Sequence, residues 1–186
     1  MTPYGLLAAL RSNDADAVAS ARATLAQNAS APTSEHARAA EMRAAVATLL
    51  AASLRPSDRD LARWLLEQEI AAHEAAGFGA SGALYTLVAA VARYADPDDV
   101  LLLWRARSTT PETREGVDVE QATRAGIERV RRRLRTLIHA GGARAADAEC
   151  ALAWLEDGLA AGAGSDLPGY FAWADERFGL RIAGPT

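Results

Sequence analysis

The chain contains no lysine: all 20 of its basic residues are arginine. That excludes a P-loop lysine, a Schiff-base lysine and a kinase-type phosphate-pairing lysine, each of which needs a primary amine on a flexible stem. A single cysteine among 186 residues excludes a disulfide core, a cysteine-based zinc site and an iron–sulfur cluster within one chain. A lone thiol suits a reducing compartment, so the reading is cytoplasmic. Positive charge is not in excess either, with 20 basic against 24 acidic side chains and a net charge of −4. A dedicated nucleic-acid binder draws its affinity from neutralising phosphates, and this balance argues against one.

Long hydrophobic runs are also missing. The longest uncharged stretch, Ala75 to Ala92, carries Gly77, Gly79, Ser81 and Gly82 in its first half. The apolar remainder is too short to cross about 30 Å of hydrocarbon, so no membrane partner is expected. The start, Met1-Thr2-Pro3-Tyr4, has neither the charge nor the apolar run of a secretory signal. No segment alternates apolar and polar residues between turn signals as a strand would. Alanine, by contrast, makes up about a quarter of the chain. With the arginine bias it points to a GC-rich genome such as a bacterium's.

Helix signals run throughout. Thr2-Pro3 opens a helix to about Arg11, and Asp14 starts a second to about Gln27. A loop spans Asn28 to Thr33, and Ser34 is expected to cap a helix through Ala52. Ser57, with Asp60 three residues on, opens the next to Ala76, where Gly77 suits a left-handed stop. Ser81 restarts the chain, and Asp96-Pro97 begins the helix carrying Val100 to Trp104. Ser108 to Asp118 reads as an eleven-residue charged loop. One long helix is expected over Val119–His139, another from Arg144 to about Ala160, and a short one over Leu167–Phe178.

The turns at Asn13-Asp14, Ser57-Asp58, Asp96-Pro97 and Gly141-Gly142 recur every 44, 39 and 45 residues. Three of them lead from acidic residues into an apolar run. A unit of about 40 residues built from two antiparallel helices is the mark of an α-solenoid. The stretch Ala92-Arg93-Tyr94-Ala95-Asp96-Pro97-Asp98-Asp99-Val100-Leu101 resembles the turn inside HEAT-like repeats. The resemblance implies an all-α fold: a right-handed α-α superhelix of about four helix pairs over residues 1–161, followed by a linker and an aromatic C-terminal helix within 162–186. That helix either caps the last repeat or docks on another chain. Val100 to Trp104, apolar on every side, is expected to be an inner helix of a middle repeat.

Several residue groups invite a functional reading. Gly77-Phe78-Gly79-Ala80-Ser81-Gly82 matches the dinucleotide-binding glycine pattern, but a half-polar helix precedes it where a strand is required. A helix stop and turn is the better account. Glu69 and His73, four apart, have metal-ligand spacing without further ligands to complete a site, and read as a solvated helix face. Neither a cofactor nor a metal is expected. Arg124, Arg131, Arg132, Arg133 and Arg135 form a basic row suited to an acidic partner, with Glu128 placed to pair with Arg124 and Arg132. Arg114 and Glu115 lie in the charged loop, and long loops on rigid scaffolds often bind. Tyr170, Phe171, Trp173 and Phe178 bring four of the eleven aromatics into nine residues, and aromatics are enriched at interfaces. Cys150, on a side shared with Trp154 and Gly158, reads as a small core residue.

The leading function is a non-enzymatic helical-repeat scaffold that binds a protein partner or itself through Arg124, Arg131, Arg132, Arg135, Arg114, Glu115, Tyr170 and Trp173. The HEAT-like resemblance also implies an alternative, a DNA-binding alkylpurine glycosylase with Trp64, Trp104 and Trp154 in a groove and Asp98 or Asp118 as its acid. An enzyme acting on a small substrate is a third reading, with no residues assigned.

Overall fold

Short polar side chains that cap free backbone N–H groups set several of the helix starts. A computed structural model describes residues 1–26 and 33–182. The loop expected at 28–33 therefore lies outside the described residues except for its last position. Thr2 Oγ1 accepts from Gly5 N at 3.1 Å and starts α1 (Pro3–Leu10), and Asp14 accepts from Asp16 N and Ala17 N to start α2 (Ala15–Leu25). Helix α3 is Thr33–Ala51, so Ser34 lies inside it and is not its cap. A 3₁₀ turn, Pro56–Asp58, leads into α4 (Arg59–Ala76), which ends on Gly77 at φ 75°. Ser81 Oγ accepts from Leu84 N and opens α5 (Gly82–Arg93). Asp96 caps a second 3₁₀ turn, Pro97–Asp99, that runs into α6 (Val100–Ser108).

The next segment departs from the expected charged loop. Thr110-Pro111-Glu112-Thr113 is a capping box, in which each threonine hydroxyl accepts from the other's backbone N–H, and it nucleates α7 (Pro111–Gly116). The single helix expected over Val119–His139 is likewise two. Helix α8 (Val119–Thr123) stops before Gly126, whose φ of 95° no L side chain adopts readily, and α9 is Ile127–Ala140. Helix α10 (Ala145–Ala160) and α11 (Leu167–Arg177) complete the chain. The described residues are all-α, with no strand among them beyond an isolated bridge between Leu54 and Ile182.

One hydrophobic core runs from Leu6 and Leu25 through Leu50, Leu66 and Leu87 to Leu134 and Leu155, all fully buried or nearly so. Burying each such leucine contributes about 1.5–3 kcal/mol relative to exposure. Contacts link α1 to α3, α3 to α5, α4 to α6, and α6 to α10, with α9 packed along α10. Helix α6 is not buried all round: Val100, Leu103 and Ala106 are buried, whereas Leu101, Leu102 and Trp104 are partly exposed. The C-terminal tail returns to the first half of the chain, where Arg181 N donates to Ala51 O and Leu54 N donates to Arg181 O.

Helices α8 and α10 meet where α10 has no side chain. A Cβ at Gly158 would lie 2.6 Å from Val119 Cγ1. Gly158→Ala gains about 1 kcal/mol in helix propensity, but overpacking of this kind costs about 1–3 kcal/mol. A net loss of about 1 kcal/mol is expected in urea unfolding. Val119→Ala in the same chain should restore most of it.

Candidate partner-binding surface

Helix α9 and the turn before it carry the arginine row, but acids from elsewhere in the chain have claimed three of its five members. Arg124, in the α8–α9 turn, makes two 2.7 Å bonds to the Asp175 carboxylate on α11, and Arg93 reaches the same group at 3.3 Å. Arg131 bonds Glu156 of α10 through Nε and Nη2, and Glu128 through Nη1. Those charge-assisted bonds hold the Glu156 carboxyl below, and the Arg131 guanidinium above, their ordinary values. Arg133 Nε lies 2.6 Å from Asp98 Oδ1. Glu128 therefore pairs with Arg131, not with the expected Arg124 and Arg132. Helical spacing alone did not reveal that Asp175 and Glu156 approach from other helices. Arg132 and Arg135 stay exposed, and with Thr136, His139 and Glu128 they line a shallow hollow of about 400 Å³.

Helix α11 gathers the aromatics. Tyr170 is edge-on to Phe171 at 6.0 Å and tilted against Trp173 at 5.5 Å, and Trp173 in turn meets Phe178 at 6.4 Å. Arg124 stacks 4.8 Å over the Phe171 ring. The Tyr170 hydroxyl donates to Asp118 Oδ2 at 2.9 Å. Burial, together with the Asp118 charge, pushes that phenol well above its ordinary value. Ala174 faces the core, but Trp173 is 50% exposed on the outer side of the cluster. Arg124, Tyr170 and Trp173 are thus brought together around α11, while Arg132 and Arg135 form a separate patch. Arg114 and Glu115 stand exposed on α7. That helix pins the 77–82 turn, because Gly79 N donates to Glu112 and Thr110 Oγ1 donates to Gly79 O.

Other expectations need correction. Glu69 is not on a solvated face: it is 3% exposed, and its Oε1 accepts from Arg43 Nε at 2.5 Å. Its Oε2 accepts from Ser81 Oγ at 2.8 Å, and His73 Nε2 accepts from Ser81 N. The pair with metal-ligand spacing thus braces the glycine turn, and among the described residues no group of His, Cys, Asp or Glu is arranged to hold a metal ion. Cys150 is exposed rather than in the core, because α10 buries the neighbouring face of Ala148, Ala151 and Leu155. The acids named for a glycosylase are both engaged, Asp98 by Arg133 and Asp118 by Tyr170. Trp104 and Trp154 do meet, at 5.6 Å, whereas Trp64 sits apart beneath Arg22.

The Asp96–Asp99 turn gathers ion pairs from Arg59, Arg63 and Arg133. Asp99 is 1% exposed, with Arg63 Nε at 2.9 Å and Arg59 Nε at 3.6 Å, yet neither guanidinium is aligned to donate a hydrogen bond. Burial, only partly offset by Arg63 and Arg59, pushes the Asp99 carboxyl above its ordinary value. The folded state then binds this proton more readily than the unfolded chain. The Asp99 penalty is fully present above the raised value and is relieved as pH falls through it. Wild type should therefore gain stability relative to Asp99→Asn as the pH is lowered from neutral in urea titrations. A drift the other way would mean that the two arginines outweigh desolvation.

No family model matches the chain, and no curated protein or solved structure is significantly similar to it. Among the described residues no helix is long and apolar enough to cross a membrane.

Proposed function

We propose that this protein is a non-enzymatic binding module, its helix pairs stacked in the manner of HEAT-like repeats, that docks a protein partner or a second copy of itself through α11. Half-exposed Trp173 carries this reading. A large indole is held outward by Tyr170 and Phe178 on a helix fastened from behind by Ala174, Asp175 and Tyr170. A preorganised aromatic of this kind forms the centre of many interfaces, because little entropy is lost when it is covered. The order of helix contacts, α1 to α3 to α5 and α4 to α6 to α10, supports the stacked arrangement. Arg132 and Arg135, exposed on α9 and in no ion pair among the described residues, suit the polar rim of such an interface.

The test is association state. Sedimentation at micromolar concentration should give a homo-oligomer, or co-purification a stoichiometric protein complex. Trp173→Asp should weaken either by about 2 kcal/mol or more while helix content is unchanged. A monomer that recovers no protein at physiological salt overturns the reading.

A further inference from the structure

A second site lies away from α11, in the cleft between α6 and α10. Its centre is Arg107, in the last turn of α6, whose guanidinium is 5.7 Å from the Trp104 ring centroid and 5.3 Å from that of Trp154. The two indoles are themselves in contact at 5.6 Å, so the guanidinium packs against both rings in one place. It has been taken partly out of water without an ion-pair partner among the described residues. Its Nε is buried with no hydrogen-bond partner, and none of the ion pairs among the described residues involves it. Burial lowers its pKa from the ordinary arginine value, and the nearby Arg114 lowers it further. Arg105, two residues earlier, shows the contrast: it points to Glu74 and bonds both carboxylate oxygens. A desolvated, rigidly stacked and unpaired arginine is costly unless something completes it.

We propose that this cleft, of about 570 Å³, binds a small organic oxyanion, a carboxylate or phosphate on a flat or apolar body. The oxyanion would pair with Arg107 and the body would lie on the Trp104 and Trp154 rings. The volume falls in the range of small-molecule sites. Guanidinium forks match planar carboxylate and tetrahedral phosphate alike, and the indole faces supply the apolar contact. Asp157, exposed and also lining the cleft, adds a negative charge there, which favours a carboxylate monoanion over a phosphate monoester, mostly a dianion at neutral pH. The site goes beyond the α11 reading and stands or falls separately from it.

Benzoate and phenyl phosphate are the probes, with benzamide as the neutral isostere. Tryptophan fluorescence should report binding of one or both anions at about millimolar concentration, with benzamide at least tenfold weaker. A preference between the two anions distinguishes carboxylate from phosphate ligands. Arg107→Gln should weaken anion binding about tenfold or more, and Arg107→Lys, which keeps charge but loses the fork, should fall between. Cys150, exposed and lining the same cleft, gives an independent readout on the unmutated chain. Benzoate should slow its alkylation by iodoacetamide, and benzamide should not. Equal binding of benzoate and benzamide, unchanged binding in Arg107→Gln, or no protection of Cys150 by either anion would overturn the proposal.

Discussion

Glu69→Ala is expected to destabilise the protein by about 3–5 kcal/mol, the cost of leaving a buried charge without its counter-ion. Arg43 is 1% exposed and holds Glu69 through Nε while its Nη1 donates to Leu25 O. Removing the carboxylate strands a guanidinium where water cannot reach it. It also frees Ser81 Oγ from the acceptor that orients it as the cap of α5. The pair itself contributes little compared with its loss, because desolvating both ions offsets most of their attraction. The double variant Arg43→Met, Glu69→Leu should therefore recover most of the stability lost in Glu69→Ala. Urea unfolding of the three chains measures this. A double variant less stable than Glu69→Ala would show that α3 and α4 need the ion pair itself, not just neutrality.

Asp58→Ala should cost about 3 kcal/mol, at the lower end of the same range. Asp58 is 2% exposed and accepts from Arg11 Nε at 3.0 Å, from Arg11 Nη2, and from Arg55 N at 2.9 Å. One carboxylate thus joins the end of α1 to the start of α4. The loss is moderated because Arg11 keeps Ser53 O, 2.7 Å from Nη2. Tyr94 reports on the same junction, its hydroxyl donating to Arg55 O. Burial first, and then the Asp58 charge, push that phenol above its ordinary value, so Asp58→Ala should lower it. Hydrogen exchange should show the added opening concentrated in α1. Loss spread evenly over the chain would contradict the local role.

The helices were legible wherever a capping side chain met an apolar run. Asp14, Ser81, Asp96 and Gly77 mark boundaries that depend on one side chain or one φ angle within a few residues. The 108–118 segment looks like a loop because its charged residues hide a reciprocal pair of threonines. The signal, Thr110-Pro111-Glu112-Thr113, was there to be found as a threonine three residues ahead of another, with proline at the first helical position. The break at Gly126 is hidden for another reason. The apolar spacing of 119–138 continues across it, and only the positive φ ends α8.

The site residues were harder to read. Arginines 124, 131 and 133 look equivalent along one helix, yet Asp175, Glu156 and Asp98 each claim one from a different part of the chain. Which arginines remain free is a property of the packing. Glu69 and Cys150 exchanged their expected environments for the same reason, since a shift in how a helix is rolled toward its neighbours moves a residue between core and water.

Composition and local pattern were enough to dictate an all-helical chain, the absence of lysine chemistry, and the position of most caps, because those depend on interactions a few residues long. Packing alone chose which charges are neutralised, which indole stays in water, and that Arg107 packs against Trp104 and Trp154 with no ion pair among the described residues. Each of those outcomes turns on groups from separate helices meeting within a few ångströms, and no local periodicity encodes such a distance.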